Sequence, residues 1–103
     1  MSDPMRIRAQ QTGDVTEVRV LMAHVMETGQ RKDAAGNIVP AFHIQTVTAT
    51  WNGKPVLSAQ FGPAVSQNPV MNFTFKGGAK GDKVVVTWTD TKGDKRTDEA
   101  VIA

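Results

Sequence analysis

The sequence predicts an all-β chain, an immunoglobulin-like antiparallel β-sandwich of about seven short strands. Three observations carry this. Apolar and polar residues alternate in short runs along most of the chain. Gly, Pro, Asn and Asp cluster between the runs about every 8–12 residues. No stretch sustains a helical period. The 103 residues are 40% hydrophobic, which suits one domain, residues 1–103, with one core.

The elements follow in order. Met5 to Ala9 alternates apolar residues with Arg6 and Arg8, as an edge strand does. Gln10 to Asp14 holds Gly13-Asp14 and reads as a turn. Thr16 to Met22 alternates again, with Val18, Val20 and Met22 on one face and Glu17 and Arg19 on the other. A long irregular stretch, His24 to Ile44, comes next. Phe42 to Asn52 is rich in β-branched residues, and Val47, Ala49 and Trp51 share one parity. Ile44 falls on the other parity, so a bulge is expected near Gln45. Asn52-Gly53 is a hairpin signal, and Leu57, Ala59 and Phe61 alternate on the return strand. Gly62 to Pro69 forms a second long connection. Met71, Phe73 and Phe75 then alternate with Asn72 and Thr74. Gly77 to Asp82 is a turn, and Val84, Val86 and Trp88 share a face. Asp90 to Asp94 reads as a hairpin loop. Lys95 to Ile102 closes the chain with a weaker pattern.

The His24–Ile44 stretch is the one element that a plain sandwich does not need. Two antiparallel strands can be joined by two residues, and a long connection in a small domain is uncommon without a role. It carries Met26, Ile38, Val39 and Phe42, too much apolar surface for a solvated linker. It is therefore expected to be an ordered loop facing a partner. Met22 to Glu27 is compatible with one helical turn, because Met22 and Met26 are four apart. Lys32 to Asn37 has the residues of a tight reversal. Pro40 cannot donate a ladder bond, so the next strand starts after it.

Composition narrows the chemistry. The chain has no cysteine, which excludes a disulfide, a thiol nucleophile, a cysteine zinc site and an iron–sulfur cluster. The formal net charge is +2, with Lys and Arg spread along the chain and no Tyr for stacking, which argues against nucleic acid. Met1-Ser2-Asp3-Pro4 lacks the basic start and apolar core of a signal peptide, and no run approaches a membrane span. Taken alone, these features indicate a cytoplasmic chain without membrane insertion.

Few residues offer catalysis. Gly77-Gly78-Ala79-Lys80-Gly81 lacks the spacing of a phosphate loop. Neither Ser58 nor Ser66 sits in a nucleophile elbow, and Ser2 is terminal. Asp98 and Glu99 point to opposite faces of a strand, so they cannot flank one bond. Met22, His24, Met26 and His43 form a candidate copper set, since Met and His suit copper; the alternative is that the methionines fill a gap under the loop. No cofactor is expected on the main reading.

His24, Met26-Glu27-Thr28-Gly29, Arg31, Asp33, Gly36 and the Pro40 that precedes Ile44 resemble the SoxZ family. Supporting texture extends over nearly the whole chain: Asn52-Gly53-Lys54, Asn68-Pro69 before Phe73, and Thr87-Trp88-Thr89-Asp90 with Gly93. Val25 stands where the family usually has Pro. The resemblance implies a non-catalytic subunit of a sulfur carrier in thiosulfate oxidation. Its partner would be SoxY, whose cysteine on a flexible C-terminal arm carries covalent sulfur intermediates; other Sox enzymes would dock transiently. It further implies a periplasmic location reached by export with a signal-bearing SoxY, which replaces the cytoplasmic expectation. The partner-binding residues it points to are His24, Met26, Glu27, Thr28, Gly29, Arg31, Asp33 and Pro40.

Overall fold

The computed structural model describes residues 3–62 and 64–103. Met1, candidate Ser2 and Pro63 of the second long connection lie outside the described residues. Seven antiparallel strands form two sheets: β1 (Arg6–Thr12), β2 (Val15–Leu21), β3 (Ile44–Trp51), β4 (Lys54–Gln60), β5 (Val70–Lys76), β6 (Lys83–Asp90) and β7 (Lys95–Val101). One sheet has the order β1-β2-β5 and the other β4-β3-β6-β7. The expected all-β sandwich is thus what forms. No helix among the described residues is long and apolar enough to cross a membrane.

The core lies between the sheets and is built from the inward parity of each strand. Val18 and Val20 of β2 meet Val47 and Ala49 of β3 and Val84, Val86 and Trp88 of β6, with Phe75 and Ile102 closing it. Burying each of the larger side chains contributes roughly 1.5–3 kcal/mol. The expected bulge is present: the β3–β6 register shifts between Ile44 and Thr46, which lets Ile44 and Val47 both face inward. Asn52 (φ 48°) and Gly53 (φ 84°) both take the left-handed conformation, as a two-residue hairpin with primed geometry requires. A further shift between Ala49 and Thr50 sits opposite Pro55, on an edge strand where a missing N–H costs little.

The two sheets are tied at one edge by polar contacts. Met5 N–H donates to Asp98 Oδ2 at 2.9 Å, and Arg96 binds that same carboxylate at 2.9 Å. The C-terminal residue continues the tie: Ala103 N–H donates to Ala9 O, and Gln11 N–H donates to Ala103 O. The weak apolar pattern of the last strand has its reason here, because its inward face carries the half-buried Arg96 and Asp98.

Close approach at the Gly77–Gly78 turn limits what can stand there. Thr16, fully buried, donates from Oγ1 to Gly77 O at 2.7 Å. A Cβ on Gly78 (φ 90°) would fall 2.1 Å from that hydroxyl oxygen, whereas one on Gly13 (φ 64°) would meet nothing within 4 Å. Gly13→Ala is therefore expected to cost only the left-handed backbone penalty, roughly 1–2 kcal/mol. Gly78→Ala is expected to add an overpacking cost of about 1–3 kcal/mol. Urea denaturation midpoints of the two variants check the difference.

Candidate functional site

The candidate site is the segment between β2 and β3, and its root is buried. Residues 22, 24 and 26 continue the inward parity of β2, so Met22, His24 and Met26 all point into the protein. The expected helical turn over Met22–Glu27 does not form. Met22 N–H donates to Pro69 O, Asn68 N–H to His24 O and His24 N–H to Asn68 Oδ1. These bonds hold the backbone extended beside residues 68–69, and the two donors that a helical turn would use are taken elsewhere, Met26 N–H by His24 Nδ1 and Glu27 N–H by Phe42 O. Met26 then turns at φ 52°.

His24 is 8% exposed and Asp90 2%. Met26 N–H donates to His24 Nδ1 at 3.1 Å, so Nδ1 is an acceptor and the ring proton sits on Nε2. That proton is donated to Asp90 Oδ2 at 3.2 Å. The other carboxylate oxygen, Oδ1, accepts N–H groups from Lys92 and Asp94, each at 3.0 Å. The imidazole lies 4.5 Å from the Phe42 ring and 5.3 Å, edge-on, from the Trp88 ring. Lys92 Nζ stands 4.1 Å above Phe42. One histidine thus clamps the start of the loop to the β6–β7 turn and to its own returning end. An open cavity of about 420 Å³ above it is lined by His24, Asn68, Phe42, Trp88, Asp90 and Lys92.

Above this root the segment becomes a two-stranded arm. Glu27 and Phe42 exchange backbone hydrogen bonds at 2.6 and 3.0 Å, and Val39 N–H donates to Arg31 O at 2.7 Å. Lys32 faces Ile38 in a further antiparallel bridge. The expected reversal over Lys32–Asn37 is present: Asp33 Oδ1 accepts the N–H groups of Ala35 and Asn37 at 2.9 and 3.0 Å. Gly29 (φ 85°) packs on Ala41, whose Cβ would be 3.1 Å from a Cβ at position 29. Arg31 brackets Glu27 with hydrogen bonds of 2.7–3.2 Å.

The residues singled out from the sequence therefore divide into two groups. Glu27, Thr28, Gly29, Arg31, Asp33 and Pro40 belong to the arm and reach its surface to differing degrees. His24 and Met26 do not offer a surface for contact, because burial turns them into supports for the arm. Part of the candidate Met–His copper set is engaged within the protein. Both ring nitrogens of His24 are engaged, and Met26 Sδ accepts Ile44 N–H at 3.3 Å. His43 turns its Nδ1 to its neighbour's carbonyl, Ile44 O, at 2.8 Å. Among the described residues, no three His, Cys, Asp or Glu side chains gather in one place.

The family model described as "Sulphur oxidation protein SoxZ" matches residues 5–101. The chain belongs to the SoxZ family. Membership places it in sulfur oxidation, within a Sox-system complex. No curated protein matches the sequence. Solved structures share its fold at low identity. A hypothetical protein, PH1083 from Pyrococcus horikoshii OT3, aligns at TM-score 0.67 and 16% identity, over 99% of this chain and 89% of that one. A superoxide reductase in the oxidized state aligns at TM-score 0.65 and 15% identity, with the same coverage. A superoxide reductase (neelaredoxin) from Ignicoccus hospitalis aligns at TM-score 0.61 and 15% identity, over 99% and 82%. These likenesses are of fold alone.

Asp90 was missed by the sequence reading, which placed it in a hairpin loop. The signal was there: it continues the inward parity of Val84, Val86 and Trp88, and a buried carboxylate needs a partner. An Asn that kept its oxygen on the Lys92 and Asp94 amides would set its NH2 against the His24 Nε2–H, and one turned round would set it against those two amides. Shifting the ring proton to Nδ1 would set that against Met26 N–H instead. Asp90→Asn is expected to destabilise the protein by roughly 1–3 kcal/mol, read from urea unfolding, with the His24 tautomer followed by ¹⁵N NMR.

Among the described residues, three carboxylates have a depressed affinity for protons: Asp82, which accepts the Trp51 indole N–H, Glu27 and Asp98. Arg31, hydrogen-bonded to Glu27, holds that carboxyl below its ordinary value, and the Arg96 hydrogen bond does the same for Asp98. A depressed folded-state value contributes stability above the ordinary carboxylate range, and that stability is lost as pH falls through the folded value. Arg31→Met is expected to return the NMR titration midpoint of Glu27 towards the ordinary range and leave that of Asp98 unchanged.

Proposed function

We propose that this chain is a non-catalytic scaffold in the sulfur carrier complex and that it grips SoxY with the arm rooted on His24 and Asp90. The observation that carries this is a surface-exposed two-stranded arm, braced from below by a buried histidine–carboxylate contact, on a SoxZ-family chain that has no thiol. A carrier needs a cysteine to hold sulfur covalently, so here the cysteine belongs to SoxY. This chain then supplies shape, charge and orientation.

The chemistry of the arm suits gripping. Ile38 is 62% exposed and offers an apolar contact near the tip. Arg31 presents a planar fork of donors, already held in place by Glu27 and able to engage a carboxylate or an oxyanion bidentately. Pro40 and the Asp33 turn limit the freedom that the arm would lose on binding, which lowers the entropic cost of association. The face left open would receive the enzymes that load and oxidise the cargo. A periplasmic location by joint export with a signal-bearing SoxY completes the reading, which rests on family membership.

Co-expression with SoxY tests this. Arg31→Ala is expected to weaken the complex by roughly 2–5 kcal/mol and to lower sulfur-oxidation turnover in proportion, with the chain still folded by circular dichroism. Unchanged complex yield and turnover would remove the arm from the mechanism. Deleting the signal peptide of SoxY is expected to leave both chains in the cytoplasm on fractionation; periplasmic recovery of this chain alone would contradict joint export.

A further inference from the structure

The outward face of the β1-β2-β5 sheet carries a charge arrangement that the fold itself does not use. Register places Arg8 directly opposite Arg19, with Asn72 beside it on β5. Arg6 lies one row away, opposite Leu21, which in turn pairs with Val70. Leu21 is 38% exposed and Val70 49%. On this face Arg6, Arg8, Arg19 and Lys76 stand against a single carboxylate, Glu17. Among the described residues, no hydrogen bond or ion pair satisfies Arg6, Arg8 or Arg19. A shallow depression of about 560 Å³ runs between Arg8, Arg19, Glu17, Asn72 and Thr74.

Like charges directly opposite each other on neighbouring strands destabilise a sheet. The protein keeps such a pair on its surface, next to an exposed apolar pair. We propose that this face is a docking surface for an acidic protein partner, which lays carboxylates across Arg8 and Arg19 and an apolar side chain over Leu21 and Val70. Arginine forks suit carboxylates bidentately, and Arg is enriched at protein interfaces. Among the described residues no aromatic side chain shares the outward parity of this face, Phe73 at the floor of the depression packing against the core, and the apolar area is two side chains wide, so a protein fits better than nucleic acid or a bilayer. The surface is separate from the arm and does not depend on its role.

The test uses the full chain, ¹⁵N-labelled, and the peptide acetyl-Glu-Leu-Glu-Glu-Leu-Glu-amide as probe. A heparin fragment and phosphatidylglycerol vesicles serve as the other polyanions. Amide shifts on adding the peptide are expected to be confined to β1, β2 and β5, and affinity to fall at least tenfold in Arg8→Ser/Arg19→Ser. Lys54→Ser/Lys95→Ser, which removes as much charge from the other sheet, is expected to bind as the parent does. The free Arg8→Ser/Arg19→Ser chain is expected to melt higher than the parent, since a repulsive pair has gone. Shifts spread over both sheets, equal loss in the two double variants, a lowered melting temperature of the arginine variant, or response to heparin or vesicles but not to the peptide would each overturn the proposal.

Discussion

One buried contact sets the geometry at the root of the arm: His24 donating to Asp90 beneath Phe42 and beside Trp88. A carboxylate this deep needs its acceptor sites filled, and three donors fill them, two from the β6–β7 turn and one from the imidazole. The imidazole is itself fixed by the Met26 amide. The chain leaving β2, the chain entering β3 and the β6–β7 turn thereby become one unit. Without that unit, residues 27–42 would be an isolated two-stranded ribbon, which is marginal in water.

From the root outwards, the means of ordering change. At the base, the arm is held by buried side chains; along its length, by backbone bonds and the Glu27–Arg31 bracket; at its turn, by Asp33 alone. Order therefore grades from core-like to local, and the exposed residues are the ones left over for contact. SoxZ membership and the lack of cysteine agree with a chain that acts through its surface. The likeness to superoxide reductases is of fold alone; in this chain both ring nitrogens of His24 and the sulfur of Met26 are taken up by backbone amides and the Asp90 carboxylate.

Much of the sandwich was legible because strand parity is a strict physical code. Ile44 out of phase with Val47 gave away the bulge, and Asn52-Gly53 gave away the hairpin. The same code ran one step further than the sequence reading followed it. His24 and Met26 extend the parity of Val18, Val20 and Met22, which marks them as inward supports. Asp90 extends that of Trp88. The i, i+4 spacing of Met22 and Met26 suggested a helix because a helix and an extended strand both place residues four apart on one side. The choice was made by Asn68 and Pro69, distant in sequence, and tertiary contacts of that kind leave no local trace. The Arg8–Arg19 opposition was equally hidden, since it exists only once register is known.

The most direct test of the central claim removes the arm and spares its root. Replacing residues 28–41 by Asn-Gly joins Glu27 to Phe42, already a bonded pair, through a two-residue turn. Titrated against purified SoxY, this chain is predicted to keep the parent's cooperative unfolding and to lose at least a hundredfold in affinity. An armless chain that binds SoxY as tightly as the parent would contradict the account.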